Sequence, residues 1–121
     1  MARTVFITGA SGGIGAAISS HYTAEGYKVV APPRSLLDLA DSLGTKAYLA
    51  ECHLDPDVIV HCAAVNPVMA LENITPEAWR GTFTVNLEAG LQLIQAFLPC
   101  MRARGWGRFV MISSSYSFLA R

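Results

Sequence analysis

No stretch of this sequence is apolar for long enough to cross a membrane or to form the core of a signal peptide. After Met1 the first apolar run is Val5 to Ile7, and Thr8-Gly9 ends it, far short of the roughly 20 residues a spanning helix needs. An excess of charge is missing too. Nine Lys and Arg balance nine Asp and Glu, which leaves no electrostatic footprint for nucleic acid or an anionic membrane surface. Cysteine is sparse and odd in number, with three residues at Cys52, Cys62 and Cys100. A disulfide framework is therefore not expected, and the reading is free, buried thiols in a reducing compartment, the cytoplasm. Repeats, low-complexity tracts and flexible linkers are absent. What is there is 52% hydrophobic and 15% charged over 121 residues, enough to bury one core and too apolar for a disordered chain.

Along the chain the hydrophobic period alternates between strand and helix. Arg3 to Thr8 reads as a short buried strand, and glycines follow at once. From Ile14 the period becomes helical, with Ile14, Ile18 and His21 on one face and Ala17 beside them, and Gly26 closes the helix. Lys28 to Ala31 is a second strand, stopped by Pro32 and Pro33. Leu36 to Leu39 is a short extended or third-strand segment. Asp41 or Ser42 caps a helix running to about Cys52, and Asp57 to Cys62 is a strand covered on both faces.

Thr75-Pro76-Glu77 starts a long helix with a capping hydroxyl, proline at the first position and an acid facing the dipole. Trp79, Phe83, Leu87, Leu91, Ile94 and Leu98 continue its apolar stripe, and Pro99 interrupts or kinks it. Gly105 and Gly107 bracket a turn into a last strand, Arg108 to Ile112. This order implies an α/β fold with a parallel sheet and right-handed crossovers.

The segment Thr8-Gly9-Ala10-Ser11-Gly12-Gly13-Ile14-Gly15 joins the first strand to the first helix, and that position gives its glycines meaning. Gly9 permits a tight turn, Gly13 a close backbone approach to a pyrophosphate, and Gly15 close packing of helix on strand. The helix start offers its N–H groups and positive dipole end to phosphates. The TGxxxGxG spacing resembles the short-chain dehydrogenases/reductases, and the resemblance covers essentially the whole chain. Val60-His61-Cys62-Ala63-Ala64 lies where that family has its NNAG signature, with His61 and Cys62 replacing both asparagines and Ala64 the glycine. Arg34 to Ala64 is most similar to the dTDP-rhamnose-forming reductases, and the stretch from Ile74 onward to the classical members.

The resemblance implies a Rossmann-type doubly wound parallel sheet of about five strands with helices on both faces, incomplete in this chain. It also implies one NAD(P)-binding domain over residues 1–121. Cofactor contacts are expected from Gly9, Ser11, Gly12, Gly13, Ile14, Gly15, Arg34, Ser35, Asp38, Ala63 and Ala64. The end of the second strand faces the adenosine ribose, where a carboxylate would favour NAD. That place holds Pro33, and Arg34 follows. A guanidinium pairs with a 2′-phosphate in a fork, so NADP (NADPH) is expected over NAD. The alternatives for Arg34 are a solvated loop position or stacking on adenine with either cofactor. Asp38 matches an acid that contacts the adenine amino group, or serves its loop as a cap.

The family's chemistry is hydride transfer between the nicotinamide and a carbonyl or hydroxyl substrate. A Tyr-xxx-Lys pair supplies the proton, a serine orients the substrate, and an asparagine in the long helix completes the proton path. Ser114 matches the serine, with Ser113 and Ser115 as alternatives. Asn86, in Thr84-Val85-Asn86-Leu87, matches the asparagine, or is a helix-bulge residue of structural use. The pair itself is not found. The chain's lysines are Lys28 and Lys46, preceded at that spacing by Ala24 and Ser42, and Tyr116 is followed by Ala120. The chain is therefore read as a truncated family member, inactive alone. The alternative is a non-catalytic NADP(H)-binding module, a sensor or partner subunit. No metal is expected, because strand neighbours His61 and Cys62 point to opposite faces; His61 is read instead as a strand-end residue lining the cofactor cleft. Trp79 and Trp106 are read as packing anchors. The long helix packs into a dimer bundle in the family, so a homo-oligomer is expected.

Overall fold

The β-branched runs form the strands, and glycine, proline and capping side chains bound the helices. The computed structural model describes residues 1–119; Ala120, four residues beyond Tyr116, and Arg121 lie outside the described residues. Strand β1 is Thr4–Thr8, helix α1 Gly13–Ala24, β2 Lys28–Val30, α2 Ser42–Glu51 and β3 Val58–His61. A continuous helical rod follows, made of α3 (Pro76–Phe83), a π-turn (Thr84–Glu88) and α4 (Ala89–Arg104), and β4 is Arg108–Met111. The start and end signals hold. Thr75 Oγ1 accepts from the Ala78 N–H at 3.1 Å, Asp41 accepts from the Gly44 N–H at 2.9 Å, and Gly26 takes the left-handed φ of 81° that closes α1.

The strands pair parallel in the order β2-β1-β3-β4, with Val5 beside Val29 and Val58, and Ile59 beside Phe109. Alternation along the strands sends neighbouring side chains to opposite faces. Val5, Ile7, Val58 and Val60 pack under Ile18 and Tyr22 of α1. Phe6 and Ile59 pack under Leu49 of α2 and Leu93, Phe97 and Met101 of α4. Helices therefore cover both faces, and full burial of each such side chain stabilises by about 1.5–3 kcal/mol.

Several expectations need correction. About five strands were expected and four form among the described residues. Leu36 to Leu39 is no strand: the N–H groups of Leu36 and Leu37 both turn back to the Pro33 carbonyl, at 2.9 and 3.0 Å, which leaves them nothing to give a ladder. Leu37 and Leu39 instead bury beside α2 and α4. Helix α1 packs through Gly15, Ile18 and Tyr22, while Ile14 and His21 are exposed, because close contact at Gly15 sets which face meets the sheet.

The apolar stripe of the long helix lies on its outer side from Trp79 to Leu91, while Ile94 and Leu98 are half-buried. Trp79, Phe83, Leu87 and Leu91 are exposed, and Val85, Ala89, Leu93, Phe97 and Met101 face the sheet. Trp79 thus anchors no core; it stacks on Phe83 at 5.0 Å. Helix α4 also runs through Pro99 without ending, closing at Gly105 with φ 72°. The three cysteines are half-buried, not buried, and free. No helix among the described residues is long and apolar enough to cross a membrane.

Candidate functional site

The chain runs from central β1 outward to β2, then returns to the other side of β1 for β3. Connections diverge at that point and leave a crevice beyond the carboxyl ends of β1 and β3, where open parallel sheets bind ligands. The structure has a cleft of about 590 Å³ there, lined by Thr8 to Gly12 after β1, Ala31 to Arg34 after β2, Leu37 to Ala40, Cys62 to Val65 after β3, and Val85. That is ample for a mononucleotide or more.

The glycine turn forms the floor. Gly9 has φ 73°, and a Cβ on it would stand 2.6 Å from the Ala63 nitrogen. A Cβ on Gly15 would stand 2.0 Å from the Gly9 carbonyl oxygen. Both positions therefore admit no side chain without moving backbone. Around Gly13 no protein atom lies within 4 Å of where a Cβ would be, so the turn is open on that side. Helix α1 carries no side-chain cap at Gly12, and its first backbone bond is Ala16 N–H to the Gly12 carbonyl at 2.7 Å. The N–H groups of Gly13, Ile14 and Gly15 precede it and have no acceptor within the helix. This end carries the positive half of the dipole, which suits a phosphate.

On the β2 side, Arg34 is mostly exposed and its Nε lies 3.6 Å from Asp38 Oδ1. Asp38 Oδ1 also accepts the Ala40 N–H at 3.0 Å, which fixes the carboxylate at the rim. So exposed a pair adds at most about 1 kcal/mol to stability. Of the residues expected to contact a cofactor, Gly9, Ser11, Gly12, Arg34, Asp38, Ala63 and Ala64 line the cleft. Gly13, Ile14 and Gly15 sit behind them in the first turn of α1, and Ser35 is exposed in the turn after Arg34.

Sequence reasoning missed Thr8. Thr8 stands immediately before the first glycine, which was the available signal. Its hydroxyl accepts the N–H groups of Cys62 and Ala63, each at 3.2 Å, and so ties the end of β1 to the end of β3. His61, expected at the cleft lining, is buried beneath it. His61 Nδ1 lies 2.8 Å from Thr8 Oγ1, and Nε2 lies 3.1 Å from the Val85 carbonyl oxygen. A carbonyl only accepts, so Nε2 carries the proton and the Thr8 hydroxyl donates to Nδ1. Burial pushes the imidazole below its ordinary pKa, against the opposing pull of the Val85 and Asn86 carbonyls.

Asn86 lies in the π-turn, outside the cleft lining. Its Oδ1 accepts the Val65 N–H and its Nδ2 donates to the Val65 carbonyl, both at 2.8 Å. Both ends of its amide are thus engaged with the loop after β3. Ser114 is exposed at the carboxyl end of β4, and its Oγ accepts the Tyr116 N–H at 3.2 Å.

Known proteins share this fold. The family model for the short chain dehydrogenases matches residues 37–121. An acetoacetyl-CoA reductase from Shinella zoogloeoides is 31% identical over 134 residues, covering 94% of this chain and 56% of the reductase. A short-chain dehydrogenase from Streptomyces avermitilis superposes with a TM-score of 0.89 at 29% identity, over 98% of this chain and 52% of that one. A candidate NAD(P)-dependent gluconate 5-dehydrogenase from Beutenbergia cavernae, solved with bound NADP, superposes with a TM-score of 0.79 at 29% identity, over 97% of this chain and 56% of that one. The chain spans about half the length of the curated relatives it matches.

Proposed function

The chain belongs to the short-chain dehydrogenase family, and from that premise we propose that residues 1–121 are an NAD(P)-binding Rossmann domain. It holds a nicotinamide dinucleotide, NADP before NAD, for an oxidoreductase acting on a small-molecule carbonyl or alcohol. The observation that carries this reading is the glycine turn at the divergence of β1 and β3, where Gly9 and Gly15 admit no Cβ and Gly13 is open, beside a helix start with no side-chain cap. The cofactor supplies or accepts the hydride when bound. The protein's part is to bind and orient. The Gly13, Ile14 and Gly15 amides take the pyrophosphate, with Ser11 and Gly12 beside them. Ala63 and Ala64 leave room for the adenosine, Asp38 meets the adenine, and Arg34 with Ser35 meets the 2′-phosphate.

Thermal unfolding with NADP⁺ and with NAD⁺ tests this assignment, since a ligand that binds only the folded chain raises its midpoint. NADP⁺ is expected to raise it more. Arg34→Ala is expected to remove the difference at a cost of roughly tenfold or more in NADP⁺ affinity, the worth of a charged hydrogen bond. Equal shifts in the unsubstituted chain discard the phosphate role of Arg34, and no shift with either discards the dinucleotide reading.

Ser114 and Asn86 are assigned to substrate orientation and the proton path in this reading. No Tyr-xxx-Lys pair occurs among the 121 residues, so the chain alone is expected to bind the cofactor without reducing a carbonyl. A second reading, a dinucleotide-holding module without catalysis, is favoured by one observation: the Asn86 amide is engaged at both ends by Val65. The purified chain is expected to consume no NADPH with a panel of carbonyl compounds; turnover would overturn both the module and the expected inactivity of the chain alone.

The outer face of the long helix is assigned to a second copy of the chain, because Trp79, Phe83, Leu87 and Leu91 form an exposed apolar stripe. Sedimentation of the unsubstituted chain is expected to show a dimer, and Phe83→Glu with Leu87→Glu a monomer of unchanged helix content. A monomeric unsubstituted chain removes the assignment.

A further inference from the structure

A π-turn breaks the α-helical ladder, and here the consequence can be traced atom by atom. In an α-helix the Ala89 N–H would bond to the Val85 carbonyl, four residues back. In this chain it bonds to the Thr84 carbonyl, five back. The Val85 carbonyl thereby loses its regular donor, and the Nε2–H of His61 takes the vacated place at 3.1 Å. The next residue of the turn, Asn86, clamps both backbone groups of Val65, and Val65 lines the cleft. The other side of the same imidazole receives the Thr8 hydroxyl, which also holds the Cys62 and Ala63 N–H groups at the cleft floor. One buried ring thus joins the π-turn to the two strand ends that make the crevice.

The geometry points to His61 as a positioning residue that, in its neutral Nε2–H form, holds the cleft in its binding shape, so that acidification loosens the site. This rests on the dinucleotide reading given above. A hydroxyl has one hydrogen and two acceptor positions. In the neutral state Thr8 uses all three, donating to Nδ1 and accepting from Cys62 and Ala63. An imidazolium places a second hydrogen between Nδ1 and Oγ1, and the Thr8 hydroxyl then loses its acceptor or releases one of the two amides. Among the described residues, no charged group meets the ring to compensate the charge. The ring meets the Thr8 hydroxyl from β1 and the carbonyls of Val85 and Asn86 from the π-turn. Its Cδ2 lies toward Gly90 of α4, with the Met111 thioether of β4 beside it. Cys62, the adjacent titratable residue, packs on the opposite, α1 side of the sheet. Burial disfavours the charged form, and its direction agrees with this arrangement.

The sign follows from linkage. A histidine held below its ordinary value of about 6.5 takes up its proton more readily when unfolded, so its contribution is whole above that pH and is lost as the pH falls below it. Binding of NADP⁺, which tolerates acid, is measured by calorimetry between pH 8 and pH 5.5 for the full chain and for His61→Gln and His61→Leu. The glutamine keeps a donor and an acceptor and does not titrate; the leucine keeps neither. The ligand's own phosphate titration is common to all three.

The unsubstituted chain is expected to lose roughly tenfold more affinity than His61→Gln across that range, the scale of one buried hydrogen bond. His61→Leu is expected to bind weakly at every pH. Nitrogen-15 spectra of the imidazole and amide shifts of Asn86, Val65 and Ala63 are followed over the same range without ligand. They are expected to show the Nε2–H tautomer and to move together as His61 titrates. Identical pH profiles for the unsubstituted chain and His61→Gln overturn the proposal, as does an Nδ1–H tautomer. If NADP⁺ does not bind at any pH, the dinucleotide reading fails, and the spectra decide the role of His61 by themselves.

Discussion

Gly15→Val is expected to abolish NADP⁺ binding and to unfold the chain well below the temperature at which the unsubstituted protein melts. The reason is distance. A Cβ at position 15 falls 2.0 Å from the Gly9 carbonyl oxygen and 2.7 Å from its carbon, and both are backbone. Nothing flexible yields, so α1 must lift from β1 or the turn must be rebuilt. Either change scatters the amides at the helix start and breaks the contact through which Gly15 buries. An overpacked core site costs about 1–3 kcal/mol and occasionally more; this one belongs at the upper end, a fall in melting temperature of roughly 10 °C. Gly13→Ala separates folding from binding. Its added methyl meets no protein atom within 4 Å and alanine favours a helix, so stability is expected to hold or rise slightly. A drop in NADP⁺ affinity of roughly tenfold or more, about 1.4 kcal/mol, would then report on the phosphate alone. Undiminished affinity in Gly13→Ala would remove the pyrophosphate from that side of the turn. Wild-type stability in Gly15→Val would contradict the close approach of helix to turn.

Phe97→Ala is expected to have the largest effect on stability of any single truncation. Phe97 is 2% exposed and lies 5.3 Å from the ring of Phe6, centroid to centroid, at 50°. Phe6 is the one β1 side chain in the cluster under α2 and α4, beside Ile59 and Leu93. Removing a buried phenyl ring costs about 3–5 kcal/mol, and domains of this kind have only about 5–15 kcal/mol to lose. Urea unfolding followed by circular dichroism should therefore show a midpoint lowered by at least about 1 M. A loss below about 1 kcal/mol would mean that α4 does not cover the sheet as described.

Much of this molecule was readable before its coordinates, and the misses share a cause. Local chemistry was legible. Thr75-Pro76, Asp41, Gly26 and the Thr8 to Gly15 turn each depend on neighbours within a few residues, and each behaves as expected. Facing was not. The apolar stripe from Trp79 to Leu91 and the alternative stripe from Val85 to Met101 run along the same rod, and periodicity alone does not say which meets the sheet. The π-turn moves the register between them by adding one residue to a helical turn. Leu36 to Leu39 had strand-like side chains, but Pro33 offered a carbonyl close enough to capture two N–H groups first. The site divides in the same way. Residues beside the glycine turn were found from the motif. Thr8, the buried bonds of His61 and the engagement of Asn86 by Val65 depend on pairings between positions 21 to 53 residues apart, which no local pattern encodes.

The sheet order also dictates when the fold can form. Central β1 is made first, yet its partner β3 lies more than fifty residues later, with Thr4 and Asp57 bonded across that gap. During synthesis the opening segment therefore waits with one edge unsatisfied until position 61 has emerged. Until then, among the described elements, it has β2, α1 and α2 to rest on. Pairing strands so far apart in sequence is entropically slow, so the nascent chain spends an interval with the β3 edge of Val5, Phe6 and Ile7 open to pairing with whatever else is nearby.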